Sequence, residues 1–218
     1  MLAKGDADAM LCGTEGRFDR HLRNVIDVIG PRSQKERICS VSVLLLPQGP
    51  LFITDPYIDV GKSADSIVQL TLAAAERVRN FGVAPKVAML SHSNFGSSRT
   101  RSAQKMREAT RALHDIAPEL EVEGEMHANV ALDENVRDLL IRHSRLEGAA
   151  NLLVMPTLDA ANIAFNLVKA LGEGLSVGPI LVGPAAPAHI LTPSVTARGI
   201  VNMSAVAVVD AQDRAIED

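Results

Sequence analysis

Hydroxyl-bearing residues are concentrated at positions 91–98, here called the serine loop, which read Ser-His-Ser-Asn-Phe-Gly-Ser-Ser. The loop follows an apolar run at 87–90 that predicts a strand, and it precedes a stretch that predicts a helix. Backbone N–H groups and hydroxyls at a helix N-terminus can hold phosphate or another anion, and Arg99 and Arg101 add positive charge. A polar turn whose serine caps the helix explains the same residues equally well.

A second candidate segment, residues 156–162, leads from another predicted strand into another predicted helix. In an open parallel sheet such turns lie at the carboxyl ends of strands, where ligands bind. Thr157 as a helix N-cap and Asp159 beside the helix dipole provide a purely structural alternative. A third segment, 178–183, is a predicted strand framed by glycines, which let another backbone approach closely.

Other familiar motifs are incomplete. The Gly-Lys-Ser at 61–63 lacks the glycine that a phosphate-binding P-loop needs five residues earlier, where Pro56 stands. Ser93 lacks the glycine two residues before it that a hydrolase nucleophile turn needs. The six histidines are scattered, and neither a Cys-x-x-Cys pair nor a Gly-x-Gly-x-x-Gly fingerprint occurs. We therefore expect neither a metal nor a redox cofactor on this chain.

The composition argues against several classes of protein. The 218 residues carry a formal net charge of −4 and only 3% aromatics, so neither a basic patch nor a stacking platform for nucleic acid is expected. Cys12 and Cys39 are too few for a disulfide framework. No apolar run reaches the roughly 18 residues of a membrane span, and the first residues lack a signal-peptide pattern. We expect a cytoplasmic protein without membrane or nucleic-acid partners.

Short β-branched apolar runs alternate with amphipathic stretches along the chain. The runs predict strands at 38–46, 51–54, 87–90, 152–155 and 180–182, with an edge strand at 121–126 whose three glutamates form a solvated face. The amphipathic stretches predict helices from Ser63 to Phe81, at 101–116, from Leu158 to Leu171 and at 195–209, before a charged tail that starts at Asp210. This alternation predicts an α/β fold, a three-layer αβα arrangement around a mostly parallel sheet.

Six sequence blocks together resemble the phosphate acetyl/butyryltransferase family in their order and spacing. Residues 5–10 resemble that family's G-x-A-D-G-M segment, and the serine loop resembles its S-x-S-x-x-G-S loop. The other blocks are residues 124–126, 150–156, 158–163 and 178–180. The resemblance covers essentially the whole chain. It is closest to the transferase-like C-terminal domain of bacterial NADP-dependent malic enzymes, through residues 93–98 and 200–203.

The resemblance implies two α/β lobes around a cleft, in an isocitrate/isopropylmalate dehydrogenase-like architecture. Residues 34–180 correspond to the second lobe, and residues 1–33 and 181–218 correspond to a remnant of the first lobe. The family's opening segment has no counterpart here, so we expect the first lobe to be incomplete and the chain to be a fragment of a longer protein.

The resemblance also implies a damaged catalytic centre. Acetyl transfer needs a base, cations for the phosphoryl group and donors for the carbonyl oxygen. Where active relatives carry a motif resembling L-S-R-G-x-S-x-x-D-I-V, this chain has Thr192, Pro193 and Gly199 at the Ser, Arg and Asp positions. Loss of a general base alone costs roughly 10²- to 10⁴-fold in rate. We therefore expect no catalytic residues for acyl transfer in this chain.

The function implied by the closest resemblance is regulatory. Acetyl-CoA, or a related acyl-CoA, is the expected effector, and it would act on a separate malate-oxidising domain that uses NADP and a divalent metal. The residues expected to hold this ligand are Arg23, Ser93, Asn94, Gly96, Ser97, Ser98, Asp159 and Asn162. The family also implies a homo-oligomer, a dimer or larger, formed through the second lobe. An active phosphate acetyl- or butyryltransferase and a purely structural oligomerisation module are the alternatives.

Overall fold

The central element is a six-stranded sheet in a computed structural model that describes residues 1–33, 37–58, 63–172 and 174–217. Its strands are β2 (Cys39–Leu46), β3 (Gly49–Thr54), β4 (Lys86–Leu90), β5 (Glu121–Met126), β6 (Leu152–Val154) and β7 (Leu175–Val182). The spatial order is β5-β4-β6-β3-β2-β7. Only β2 runs against the rest, because it pairs antiparallel with both β3 and β7. The prediction of an α/β fold with a mostly parallel sheet is confirmed.

A second, two-stranded sheet pairs β1 (Met10–Gly13) with β8 (Ala188–Leu191) in parallel. Gly13 permits this pairing, because a Cβ there would lie 2.2 Å from the Leu191 carbonyl oxygen. Sequence analysis missed both strands, since four residues are too few to show a clear alternation. It also made β7 too short. The division into two lobes, with a boundary between residues 180 and 181, stays a prediction.

Seven α-helices lie in the described ranges: α1 (Phe18–Val28), α2 (Ala64–Asn80), α3 (Arg101–Ile116), α4 (Ala128–Leu132), α5 (Glu134–Asp138), α6 (Leu158–Leu171) and α7 (Ala197–Glu217). The sequence predicts α2, α3 and α6 at these positions and α7 from two residues earlier, whereas α1, α4 and α5 were not predicted. The side chains of Ser63, Thr100 and Thr157 accept backbone N–H bonds at the starts of α2, α3 and α6. Each hydroxyl satisfies a donor that has no partner within its own helix.

Two apolar clusters cover the two faces of the six-stranded sheet. Phe52 and Met89 belong to the cluster that includes residues of α2 and α3. The next residues on the same strands alternate to the other side, where Ile53 belongs to a cluster with residues of α4 and α6. This alternation follows from the two-residue period of a strand, and it puts helices on both sides of the sheet.

Helix α7 differs from its prediction. The helix continues through the expected charged tail to Glu217, and Asp210 is buried in it rather than solvated. The guanidinium of Arg77 on α2 donates two hydrogen bonds to the Asp210 carboxylate. His189 on β8 places its Nε2 3.1 Å from Asp210 Oδ2, while its Nδ1 accepts the Leu181 N–H at 3.2 Å. The prediction was wrong because this charge has partners far away in sequence.

No helix in the described ranges combines the length and the apolar character needed to cross a membrane.

Candidate functional site

Four parallel strands of the large sheet bring their carboxyl ends to one edge. Since β5, β4, β6 and β3 are neighbours in that order, the segments that follow them lie side by side. The serine loop follows β4, and the segment 156–157 follows β6. Lys105 of α3 donates to the Pro156 carbonyl oxygen at 2.5 Å and joins these two segments. The topology therefore gathers the two predicted strand-to-helix segments, as ligand sites at such edges require.

The carboxylate of Glu125, at the end of β5, lies at the centre of the serine loop. Its Oε1 accepts the Ser93 hydroxyl at 2.7 Å and the Gly96 N–H at 2.9 Å. Arg107 of α3 donates from Nε to Oε2 at 3.0 Å and from Nη2 to Oε1 at 2.8 Å. The Glu125 side chain is fully buried. A charged carboxylate can be buried at modest cost only with this many donors around it.

The prediction of a solvated glutamate face on β5 is therefore wrong for two of its three members. Glu123 is also buried, and its carboxylate accepts the Gly124 N–H and the Arg145 N–H, each at 3.0 Å. β5 is indeed the edge strand of the sheet. The serine loop and the segment around Arg145 nevertheless cover its glutamates, and a period-two pattern cannot show loops that fold back over a strand.

Glu125 is ionised at neutral pH. Burial by itself would raise the pKa of this carboxyl, but hydrogen bonds from Arg107, Ser93 and the Gly96 N–H outweigh burial and lower the pKa. The hydrogen bond between Arg107 and Glu125 also raises the pKa of the Arg107 guanidinium. The centre of the serine loop therefore carries a negative charge, paired with one guanidinium.

The backbone N–H groups of residues 93–98 all have acceptors inside the protein, contrary to the expectation that they are exposed. Those of Phe95 and Gly96 donate to the carbonyl and carboxylate oxygens of Glu125. The remaining acceptors are the Ser91 hydroxyl for residue 93, the Ser97 hydroxyl for 94, the Asn94 carbonyl for 97 and the Ser93 hydroxyl for 98. Gly96 has φ +96°, a conformation that favours glycine. Only the Gly96 N–H donates to the Glu125 carboxylate, and the other five N–H groups donate to hydroxyl or carbonyl oxygens.

The predicted ligand residues of the serine loop differ in their exposure to solvent. Ser93 is fully buried, whereas Gly96 and Ser97 are exposed. The Asn94 carboxamide oxygen accepts the His127 N–H at 2.7 Å and thereby joins the loop to the segment after β5. On the outer side, the Ser98 hydroxyl lies 3.3 Å from His92 Nε2. Direct contact of the five predicted loop residues with a ligand stays a prediction; they are Ser93, Asn94, Gly96, Ser97 and Ser98.

An open cleft of about 480 Å³ lies near the start of α6. Its lining includes Tyr57, Asp159 and Asn162 together with Arg17 and Asp19. The structure thus brings Asp159 and Asn162 together, as expected, and Asn162 donates from its amide to the Pro56 carbonyl oxygen at 2.9 Å.

Tyr57, the single tyrosine of the chain, belongs to the lining of this cleft. Its ring centroid lies 5.3 Å from that of Phe18 at the start of α1 and 6.2 Å from that of Phe165 on α6. Burial raises the pKa of the Tyr57 phenol, so it is a neutral group at neutral pH. The Phe18 and Tyr57 rings thus add apolar surface to a lining that also carries charged groups.

The first segment contributes a different arginine from the one predicted. Arg17 lines the cleft and holds Asp19 with two bonds of 3.0 and 2.9 Å, and it keeps the pKa of Asp19 low. Arg23 lies exposed on α1, outside the lining that the described residues form. A ligand contact by Arg23 stays a prediction.

The positions expected to have lost catalytic groups lie at the carboxyl end of β8 and the start of α7. The Thr192 hydroxyl is 3.2 Å from the Ser194 hydroxyl, and Pro193 is exposed. Gly199 donates its N–H to the Thr196 hydroxyl at 3.1 Å. The Thr14 N–H donates to the Leu191 carbonyl oxygen, so this turn adjoins the turn that leads to Arg17.

Sequence reasoning missed Glu125, Arg107, Arg17 and Tyr57. A charged residue in a strand flanked by apolar residues was a usable signal for Glu125, and being the single tyrosine was a signal for Tyr57. Arg107 gave none, since arginine is ordinary on an amphipathic helix. Within the described ranges no group of three or more His, Cys, Asp or Glu side chains is placed to hold a metal ion.

Comparison with known proteins gives a consistent result. A family model described as Phosphate acetyl/butaryl transferase matches residues 1–208. The chain is 51% identical over 207 residues to an NAD-dependent malic enzyme of Rhizobium meliloti and 47% identical over 213 residues to an NADP-dependent malic enzyme of Escherichia coli. These matches cover 95% and 97% of the chain but only 27% and 28% of those enzymes.

Shorter relatives match at lower identity. A phosphate acetyltransferase of Acetivibrio thermocellus is 30% identical over 97% of the chain and 66% of its own length. Among solved structures, a phosphotransacetylase from Streptococcus pyogenes superposes with a TM-score of 0.91 at 26% identity, covering 97% of this chain and 65% of that one.

Proposed function

Because the chain belongs to the Phosphate acetyl/butaryl transferase family, we propose that it is a catalytically impaired, regulatory member that binds acetyl-CoA as an allosteric effector. In this proposal the chain forms the phosphotransacetylase-like part of a cytoplasmic malic enzyme, an oxaloacetate-decarboxylating malate dehydrogenase. NADP and a divalent metal belong to the separate malate-oxidising domain of that enzyme, which is also the partner that the effector controls.

The observation that carries the proposal is the pair Pro193 and Gly199 in a chain that is closer in sequence to malic enzymes than to phosphate acetyltransferases. Proline offers neither a charge nor an N–H donor, and glycine cannot accept a proton. A family member without these groups can still bind a ligand but lacks the base and the cation that act on the bound molecule.

The cleft beside Tyr57 supports binding of an acyl group. Its lining includes aromatic rings, and Arg17, Asp159 and Asn162 supply polar groups. We propose that the predicted lobe division runs along this cleft, whose lining includes residues from both 1–33 and 34–180. An effector that binds one arrangement of the two lobes better than another shifts the populations of the two arrangements.

Calorimetric titration with acetyl-CoA tests the proposal, on this chain and on the longer protein that contains it. We expect saturable binding. Asp159→Trp fills the cleft and should weaken binding at least about tenfold, a difference of roughly 1.4 kcal/mol. Asp65→Trp is the matched control, because Asp65 holds the same first-turn position on α2 and lies outside the cleft lining. No saturation with either protein would overturn the proposal.

A coupled thiol assay with acetyl phosphate and coenzyme A separates a sensor from an enzyme. We expect no turnover above the uncatalysed background, because the turn after β8 lacks a base and a cation. Turnover typical of enzymes, on the order of 1 to 10³ per second, would instead establish an active transferase.

The homo-oligomer is also proposed, and α6 offers the surface for it. Ile163, Leu167 and Leu171 recur at helical spacing and are 65%, 57% and 75% exposed. Sedimentation velocity should show a dimer or a larger species that Leu167→Glu converts to monomer. Leu139→Glu is the control, since Leu139 is 85% exposed but lies beyond α5. A monomer in the unaltered chain would contradict this surface.

A further inference from the structure

The donors around Glu125 have the composition of an anion-binding site. One hydroxyl, one backbone N–H and a two-pronged guanidinium converge on the same carboxylate at 2.7 to 3.0 Å. Hydroxyl, N–H and guanidinium groups are those with which proteins hold phosphate and carboxylate ligands. Arg107 also donates from Nη2 to the Ser98 carbonyl oxygen at 2.9 Å, which fixes the guanidinium against the loop.

The anion in this site is the Glu125 carboxylate, which belongs to β5, whereas the serine loop follows β4. Glu125 is 32 residues from Ser93 and 29 residues from Gly96 in sequence. Neighbouring bonds fasten the same two segments together. The Phe95 N–H donates to the Glu125 carbonyl oxygen at 2.8 Å, and the Ser91 N–H donates to the Met126 carbonyl oxygen at 2.8 Å.

We propose that the serine loop and Arg107 form an anion-binding site, here called the nest, whose anion is the chain's own Glu125 carboxylate, and that this internal anion positions the loop at the carboxyl edge of the sheet for the ligand of the proposed function. Glu125 is a positioning residue in this scheme, since it acts through the loop. The part that concerns the ligand rests on the proposed function.

The positioning role follows from what the loop loses without Glu125. The Ser93 hydroxyl and the Gly96 N–H would lack their acceptor, and the Arg107 guanidinium would lack its charged partner. The outer residues His92, Ser97 and Ser98 depend on the same conformation, because the Ser98 N–H donates to the Ser93 hydroxyl at 3.0 Å. A neutral or shortened residue 125 therefore loosens the part of the loop that depends on the Ser93 hydroxyl and the Gly96 N–H.

Chemical rescue with formate tests the nest directly. Glu125→Ala removes the carboxylate and leaves room for a small carboxylate among the same donors. We expect formate at about 100 mM, compared with chloride at equal ionic strength, to raise the Tm of Glu125→Ala by about 3 to 8 °C, as a ligand of millimolar affinity would. Glu123→Ala is the matched control, because Glu123 is a buried glutamate on the same strand whose carboxylate bonds elsewhere.

Equal formate shifts in the Glu125→Ala, Glu123→Ala and unaltered chains would overturn the nest. Amide hydrogen exchange provides a second measurement that needs no ligand. In Glu125→Gln, which keeps the shape of the side chain, the Phe95, Gly96 and Ser98 amides should exchange at least about tenfold faster, whereas Glu123→Gln should leave them unchanged. Unchanged exchange in Glu125→Gln would overturn the positioning role.

Acetyl-CoA titration of the same variants separates this inference from the proposed function. If the unaltered chain binds, Glu125→Gln should weaken binding at least about tenfold while Glu123→Gln leaves it within about twofold. If Glu125→Gln binds as well as the unaltered chain, the positioning role is overturned and the proposed function survives. If no variant binds, the proposed function fails, and the formate and exchange measurements still decide whether the nest exists.

Discussion

Glu125 and Asp210 are two buried carboxylates, each held by two hydrogen bonds from one arginine, yet they join very different parts of the molecule. Arg107 is 18 residues from Glu125, and the other donors to Glu125 lie in one loop. Arg77 is 133 residues from Asp210, and the third member of that cluster, His189, lies on β8. The first cluster shapes a loop, whereas the second fastens α7 to α2 and to the small sheet.

The contrast shows that the effect of a buried carboxylate–arginine pair depends on which elements of the fold the pair connects. Loosening Glu125 frees one loop whose parent strands β4 and β5 stay paired. Loosening Asp210 detaches a helix that contacts both sheets. Local opening needs less free energy than global unfolding, so the two sites should differ in stability and in which amides become exposed.

The largest expected effect is that of Asp210→Asn. The substitution leaves the Arg77 guanidinium, which is 12% exposed, without its anionic partner. Breaking a buried pair by removing one member costs about 3 to 5 kcal/mol. Urea unfolding followed by circular dichroism should show a free energy of unfolding lowered by that amount.

Asp213→Asn is the control for this measurement, one turn further along α7. Asp213 is half-buried, and a substitution away from a buried ion pair usually changes stability by about 0.5 kcal/mol. A loss at Asp213 similar to that of Asp210→Asn would show that α7 responds to any lost charge rather than to the Arg77 contact. A loss below about 1 kcal/mol for Asp210→Asn would remove the distinction between the two clusters.

Glu125→Gln should cost less, about 1 to 3 kcal/mol of unfolding free energy. Arg107 is 24% exposed, so water can partly replace its lost charged partner. Urea unfolding under the same conditions gives the comparison. A loss equal to or larger than that of Asp210→Asn would show that the serine loop is part of the global unfolding unit.

Sequence reasoning predicted the elements well where local chemistry decides them. The apolar face of α2 with its Ser63 cap, and α3 from Arg101 to Ile116, needed only periodicity and a capping residue. The predictions that Glu125 and Asp210 are solvated were both wrong, because their burial depends on partners that the fold supplies. On α6 the apolar residues Ile163, Leu167 and Leu171 turn outward. Periodicity shows a face but not what covers it.

The candidate site was predicted in part for the same reason. The strand-to-helix position of Asp159 and Asn162 is readable from the sequence, and the structure puts both at one cleft. The contribution of the first segment to this cleft depends on how the turn after β1 packs against the sheet. That packing puts Arg17 in the cleft lining and leaves Arg23 outside the lining that the described residues form. The donors of the serine loop were recognisable, but their internal acceptor was 29 residues away.

The smallest expected effect is a change in the pH dependence of stability. For both carboxyls burial alone would raise the pKa, but bonds from Arg107, Ser93 and Gly96 lower the pKa of Glu125, and bonds and attraction from His189 and Arg77 lower that of Asp210. A folded-state pKa below the unfolded value means that the unfolded chain binds more protons in acid. The stabilisation is therefore complete above the ordinary carboxyl pKa of about 4 and is lost as the pH falls through the lowered values.

Urea unfolding between about pH 6 and pH 3 should show the free energy of unfolding declining less steeply for Asp210→Asn and for Glu125→Gln than for the unaltered chain. A decline as steep as that of the unaltered chain in either variant would mean that its carboxyl titrates alike in the folded and unfolded states, against the hydrogen bonds that surround it.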